Sequence, residues 1–261
     1  MYLTKLRLGT RAEEASILIN LKKQANSQSF FDLLTARAFF NLDLNRDSKN
    51  DMPTLNSKLS DHRVYILVSL MFLFGFLFVA SQRSSFITLD LGVNAWAASI
   101  NTGSFKAAAV EISIIFDTIP IEIYTGVLVV IFTLKNRWQY GSLLIGAIVG
   151  DVLIVSALKN LIMSPRPWNE VINQTTYSFP SGHVAGNVVF FGIVVYFAWS
   201  NWASARTRLF TGGLYVALIL LVGFDRIYLN VHWLSDVVGG FLFGAFWLLF
   251  TIWVFKRIVR K

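Results

Sequence analysis

The sequence contains no cysteine, which excludes a disulfide framework, a thiolate nucleophile and a Cys-based metal centre. Its three histidines, His62, His183 and His232, are too few for a His-rich metal site, and no metal or other cofactor is expected. Acidic residues are scarce beside basic ones, 15 against 23 in 261 residues, for a net charge of +8. In a soluble protein a pI near 9.8 would raise the question of nucleic acid. What is abundant argues otherwise. Hydrophobic residues make up 55% of the chain and aromatics 15%, with a mean hydropathy of +0.57, more than a soluble domain of this length needs for one core. The expected solvent is the lipid bilayer, and no nucleic-acid partner is expected.

A bilayer core about 30 Å thick calls for roughly 17 to 25 largely apolar residues per spanning helix. Runs that qualify lie at residues 64–80, 118–134, 139–158, 184–199, 209–225 and 235–255. The expected fold is therefore all-α, a polytopic membrane helical bundle with six transmembrane helices. Residues 86–104 interrupt their apolar pattern with Asp90, Asn94 and Asn101 and read as an amphipathic segment lying at the interface. Residues 1–62 are polar and mixed in charge, and read as a loosely ordered N-terminal cytoplasmic extension before a six-span domain at 63–261. No cleavable signal peptide is evident in the first twenty residues.

An even number of spans puts both termini on one side. Lys135, Arg137, Arg206, Arg208, Lys256, Arg257, Arg260 and Lys261 all fall on that side, and short basic segments mark the cytoplasm. The expected location is the cell membrane, multi-pass, with both termini cytoplasmic. Only Arg83, Lys106, Lys159, Arg166 and Arg226 fall elsewhere, so a gathering of these needs a reason.

Span three ends at Lys159, with Arg166 and Pro167 beyond it. Span four opens with Pro180, Ser181, Gly182 and His183, span five closes with Asp225 and Arg226, and span six opens with His232 and Asp236. Alternating spans bring these segments to one outer face. A phosphate ligand gives each residue a use. Lys159 offers a point charge, and Arg166 and Arg226 offer paired donors. Ser181 and Gly182 offer backbone N–H groups at a helix N-terminus. His232 and Asp236, four apart, fall on one helix face, so the carboxylate can hold one ring nitrogen and leave the other as a nucleophile. His183 can protonate the departing oxygen. Singly, each has a bland reading: a cation at a span end snorkels to the interface, and a Ser-Gly pair is ordinarily a cap. Together they would require several costly polar residues to converge by accident. Trp168, Tyr177, Tyr228 and Trp233 at the same boundary read as an interfacial aromatic belt. Glu111, Asp117, Glu122 and Asp151, in or near apolar stretches, read as partners for helix ends or neighbouring helices.

The three segments resemble, in order, the signature motifs of the type 2 phosphatidic acid phosphatase superfamily, the lipid phosphate phosphatases. Lys159, Arg166 and Pro167 match the first, Pro180 to His183 the second, and Arg226, His232 and Asp236 the third, with the resemblance extending over roughly residues 60–255. It implies that His232 attacks phosphorus and Asp236 orients its ring. It also implies that His183 protonates the leaving oxygen and that water then hydrolyses a phosphohistidine. Lys159, Arg166, Ser181, Gly182 and Arg226 would hold the phosphate, and no metal is implied. The implied partner is a membrane lipid phosphate: undecaprenyl pyrophosphate first, with phosphatidic acid and phosphatidylglycerol phosphate as close competitors. One position departs, since the serine that opens the third motif is Asp225 here, expected to turn away or pair with Arg226. A catalytically silent lipid-phosphate binder or translocating protein is the rival reading. A vanadate-dependent haloperoxidase shares such a site but is typically soluble and larger. Oligomeric state is not legible.

Overall fold

The structure, a computed structural model, describes residues 55–101, 103–201 and 204–259, with the side chains of 55–62, 104 and 201 left aside. The proposed N-terminal extension thus lies outside the described residues, apart from the backbone of 55–62, which forms the start of the first helix. Among the described residues there are eight helices and no strand: α1 Leu55–Ser81, α2 Arg83–Ile100, α3 Gly103–Ile115, α4 Thr118–Leu134, α5 Trp138–Ile162, α6 Gly182–Asn201, α7 Ala205–Tyr228 and α8 Leu234–Val259.

Five of them, α1, α5, α6, α7 and α8, carry windows long and apolar enough to cross a membrane. The run expected as the second span is α4, only 17 residues long. It meets the length only together with α3, across a break bent by 43°, so the described helices give five spans, or six where that bent pair crosses as one. The outer surface carries large apolar side chains: Phe74 is 74% exposed, Leu153 65%, Leu209 80% and Leu220 67%. Water does not tolerate so continuous an apolar exterior and lipid does, so the chain is a multi-pass membrane protein.

At the centre, α8 packs most extensively on α1 and α6 and also touches α5, α2 and α7. Glycines permit the approach of α6. A Cβ on Gly240 would lie 2.5 Å from the Ser181 carbonyl oxygen, and one on Gly244 2.9 Å from that of Ala185. Phe179 stacks on Phe76 at 5.7 Å, and this pair joins Val79, Val155, Ala185 and Phe243 in a core directly beneath the polar end of the bundle.

The segment expected at the interface is α2, and its polar residues do not face water. Asp90 and Asn94 are buried, 3% and 5% exposed, because α2 lies against α7 and α8. An amphipathic pattern gives the two faces of a helix but not what covers them. Here protein covers the polar face.

Candidate active site

Helix α5 stops at Met163, whose φ of 52° places it in the left-handed region while its N–H returns to the Lys159 carbonyl; Pro165 then prevents resumption. Lys159 is left in the last turn, its Nζ bonded to the Tyr177 carbonyl. The following loop closes on itself through Ser178 N–H to the Ser164 carbonyl, 2.9 Å, and the Ser164 and Ser178 hydroxyls, 2.8 Å apart. Arg166 ties this loop to the turn before α8. Its Nη1 donates to the Val231 carbonyl at 2.6 Å and its Nε to the Thr176 carbonyl at 2.7 Å.

Ser181 departs from expectation. Its backbone N–H does not face open space but donates to the Asp236 carbonyl on α8, 3.0 Å away, a contact that the missing side chain at Gly240 permits. What Ser181 still presents is its buried hydroxyl, which has no partner among the described residues. Gly182 and His183 begin α6, where the first amides have no intrahelical acceptor. His183 turns its Nε2 to Asp117 Oδ1, 3.0 Å. Asp117 is the N-cap of α4, accepting the Thr118 N–H, at the break between α3 and α4. Asp117 was expected to partner a helix end or a neighbouring helix and does both, but its link to His183 was not foreseen. Its place just before the apolar run 118–134, at the same end as the motif residues, was the signal.

His232 is not on the helix that carries Asp236. It lies in the turn 229–233, and α8 begins at Leu234. The two meet because Asp236, at the third helical position, reaches back to cap the Trp233 N–H through Oδ2, 2.9 Å, as in one half of a capping box. The same Oδ2 lies 3.4 Å from His232 Nδ1, close but outside hydrogen-bond geometry, a looseness common in sites without substrate. Burial, reinforced by Arg166 and Lys159 nearby, holds the His232 imidazole well below its ordinary 6.5. That direction favours the neutral ring, the form a nucleophile requires. Asp225 pairs with Arg226 through Nε, 3.0 Å, and through Nη2, both residues almost wholly buried.

The turn 229–233 is held from α2 as well. Asn230, with φ of 51°, accepts a hydrogen bond from Asn94; Asp90 takes both the N–H and the hydroxyl of Ser235, 2.9 and 2.7 Å; and Asn101 donates to the Tyr228 carbonyl, 2.9 Å. Burial raises the Asp90 carboxyl above its ordinary value, and the Ser235 hydrogen bonds oppose that rise. Of the aromatics expected in a belt, Trp168 and Tyr177 are exposed but Tyr228 and Trp233 are buried, 5% and 7% exposed. Trp233 is drawn inward by its Nε1 bond to the Pro165 carbonyl, 2.9 Å.

The eight expected site residues thus meet at one end of the bundle. A cavity of about 250 Å³ leads from Lys159, Gly182 and His183 down between α4, α5 and α6 past Val152, Ile148 and Ile121. Among the described residues no group of three His, Asp or Glu is placed to hold a metal ion. Residues 140–260 match the PAP2 superfamily. This stretch is a PAP2 superfamily domain. The PAP2 domain contains every motif residue, whereas Arg83, Asp90, Asn94 and Asp117 lie outside it.

Phosphatidylglycerophosphatase B of Bacillus subtilis (strain 168) is 28% identical over 136 residues, 50% of this chain and 64% of that protein. An undecaprenyl-diphosphatase of Sulfolobus acidocaldarius is 28% identical over 140 residues, 49% of this chain and 61% of that protein. The chain therefore spans less than two thirds of the length of these relatives. The crystal structure of a transmembrane PAP2 type phosphatidylglycerolphosphate phosphatase from Bacillus subtilis has a TM-score of 0.66 at 22% identity, covering 73% of this chain and 96% of that one. That likeness is one of fold.

Proposed function

We propose that this chain is an integral membrane phosphatase that hydrolyses a lipid phosphate or lipid diphosphate through a phosphohistidine on His232. The observation that carries the reading is a buried imidazole beside a carboxylate and among cations: His232 with Asp236 behind Nδ1 and Lys159, Arg166 and Arg226 acting on it. His232 Nε2 attacks phosphorus, an N–P bond forms, and the bond to the leaving oxygen breaks. That oxygen belongs to the lipid alcohol of a monophosphate or to the bridge of a diphosphate. His183, as an imidazolium held at Nε2 by Asp117, supplies the proton it needs. Water then attacks the phosphohistidine, returns a proton to His183, and releases inorganic phosphate. Lys159, Arg166, Arg226, the Ser181 hydroxyl and the Gly182 amide stabilise the charge on the transferring group. The cavity descending between α4, α5 and α6 suits an apolar tail that remains in the bilayer.

The basic residues of the α4–α5 turn, the start of α7 and the end of α8 lie at the opposite end from the site. With positive charge inside, both termini are cytoplasmic and the site faces outward. Undecaprenyl diphosphate is the first substrate to test, beside phosphatidylglycerol phosphate and phosphatidic acid. Phosphate release by purified protein in detergent with EDTA, wild type against His232→Ala, decides the matter. Release that survives EDTA and disappears in the variant supports the mechanism and ranks the lipids. No release by folded wild-type protein overturns it in favour of a lipid-phosphate binder whose Arg226 is neutralised by Asp225.

A further inference from the structure

Arg83 opens α2, 57 residues before the PAP2 domain begins at residue 140, and yet its guanidinium lies inside the site. Nη1 is 3.1 Å from Asp236 Oδ1, with side chains 19% and 0% exposed. The contact is ionic rather than an aligned hydrogen bond. Nη2 donates to the Ser164 hydroxyl, and the guanidinium carbon sits 4.3 Å above the centre of the Phe179 ring. One side chain thus joins three segments: the Asp236 carboxylate, the loop that carries Arg166, and the strut leading into Ser181. Asp236 divides its oxygens accordingly, Oδ2 toward His232 and Trp233, Oδ1 toward Arg83.

We infer that Arg83 is a positioning residue for the nucleophile, fixing the Asp236 carboxylate so that Oδ2 faces His232 Nδ1 and locking the phosphate loop to it through Ser164. The inference rests on the hydrolase reading of the site. Arg83 is assigned no phosphate contact, because its two terminal nitrogens are engaged by the Asp236 oxygen that His232 does not use and by the Ser164 hydroxyl. Without it Asp236 Oδ1 becomes an uncompensated buried charge, and the carboxylate turns to find another partner. A planar fork suits the task better than an ammonium, which can reach one partner but not hold both.

The test compares wild type, Arg83→Lys and Arg83→Ala, each shown monodisperse in detergent. Removing a group that orients a nucleophile costs about 100-fold in kcat, while KM, set by the phosphate cradle and the lipid, stays within about threefold. The lysine variant recovers part of the loss, and added guanidinium ion restores turnover to the alanine variant by occupying the vacated space. A second readout does not depend on turnover. Nitrogen-15 NMR of His232 should show the Nδ1–H tautomer in wild type and a mixture in Arg83→Ala. If wild type hydrolyses none of the lipids the hydrolase reading fails, and the tautomer comparison still decides the role of Arg83. A folded alanine variant with wild-type kcat and an unchanged tautomer overturns the inference. So does a loss of activity that guanidinium does not relieve and the tautomer does not reflect, since that is the mark of a merely structural residue.

Discussion

Gly240 sits where the two halves of the site are pressed together, and replacing it with alanine tests that geometry directly. The added Cβ would lie 2.5 Å from the Ser181 carbonyl oxygen and 3.2 Å from the Cβ atoms of Ser181 and Val184. The obstacle is backbone, so a rotamer change cannot relieve it. To reach even 3.0 Å, below which real Cβ contacts essentially do not occur, the start of α6 must retreat by about 0.5 Å. Ser181 N–H bonds the Asp236 carbonyl at 3.0 Å, so the same retreat stretches that bond toward the limit of hydrogen bonding. Overpacking of this kind costs about 1–3 kcal/mol. If a displacement of 1 Å costs about 100-fold in rate, half of it costs about tenfold. Gly126→Ala is the control, since a Cβ there meets nothing within 4 Å and alanine is the better helix former. Thermal unfolding in detergent and kcat for phosphate release should both fall for Gly240→Ala and neither for Gly126→Ala. If Gly240→Ala unfolds and turns over like wild type, the rigid contact between α6 and α8 does not set the site.

Two further predictions concern charge. Asp225→Ser removes the carboxylate that neutralises Arg226. The variant should be less stable without phosphate by about 3–5 kcal/mol, the cost of an unpaired buried charge, should regain stability when inorganic phosphate is added, and should show a lower KM; a phosphate-independent Tm would contradict this. His232, kept neutral by burial, gives a pH signature. Below the ordinary imidazole value of 6.5 the unfolded chain takes up a proton that the folded ring refuses. The unfolded state then binds more protons, so stability falls with falling pH, by up to about 1.4 kcal/mol per unit from this group. The loss runs from 6.5 down to the depressed folded value and is absent above 6.5. His232→Ala should flatten this part of the Tm profile; parallel profiles for the two proteins would show that His232 is not the group responsible.

Much of the bundle is written in local sequence. Apolar runs long enough to span locate α1 and α5 to α8, because in lipid a run of that length must be helical to satisfy its own backbone. The order Lys159, Arg166, Ser181, His183, Arg226, His232, Asp236 brings one set of chemistry to one end, because successive spans alternate direction. Asp225 beside Arg226 was likewise legible, being a neighbour in the chain. Partnership across the fold was not legible. Asp90, Asn94 and Asn101 recur along α2 and its C-cap as the polar stripe of a surface helix would, and only packing against α7 and α8 turns that stripe onto Ser235, Asn230 and the Tyr228 carbonyl. Nothing within the span of a turn indicates that Arg83 reaches Asp236 or that Asp117 reaches His183. Periodicity reports which face of a helix is polar, and chain alternation reports at which end it lies. The choice of partner among groups some 70 to 150 residues apart is made by interhelical packing, through glycines such as Gly240 that decide how closely two backbones approach.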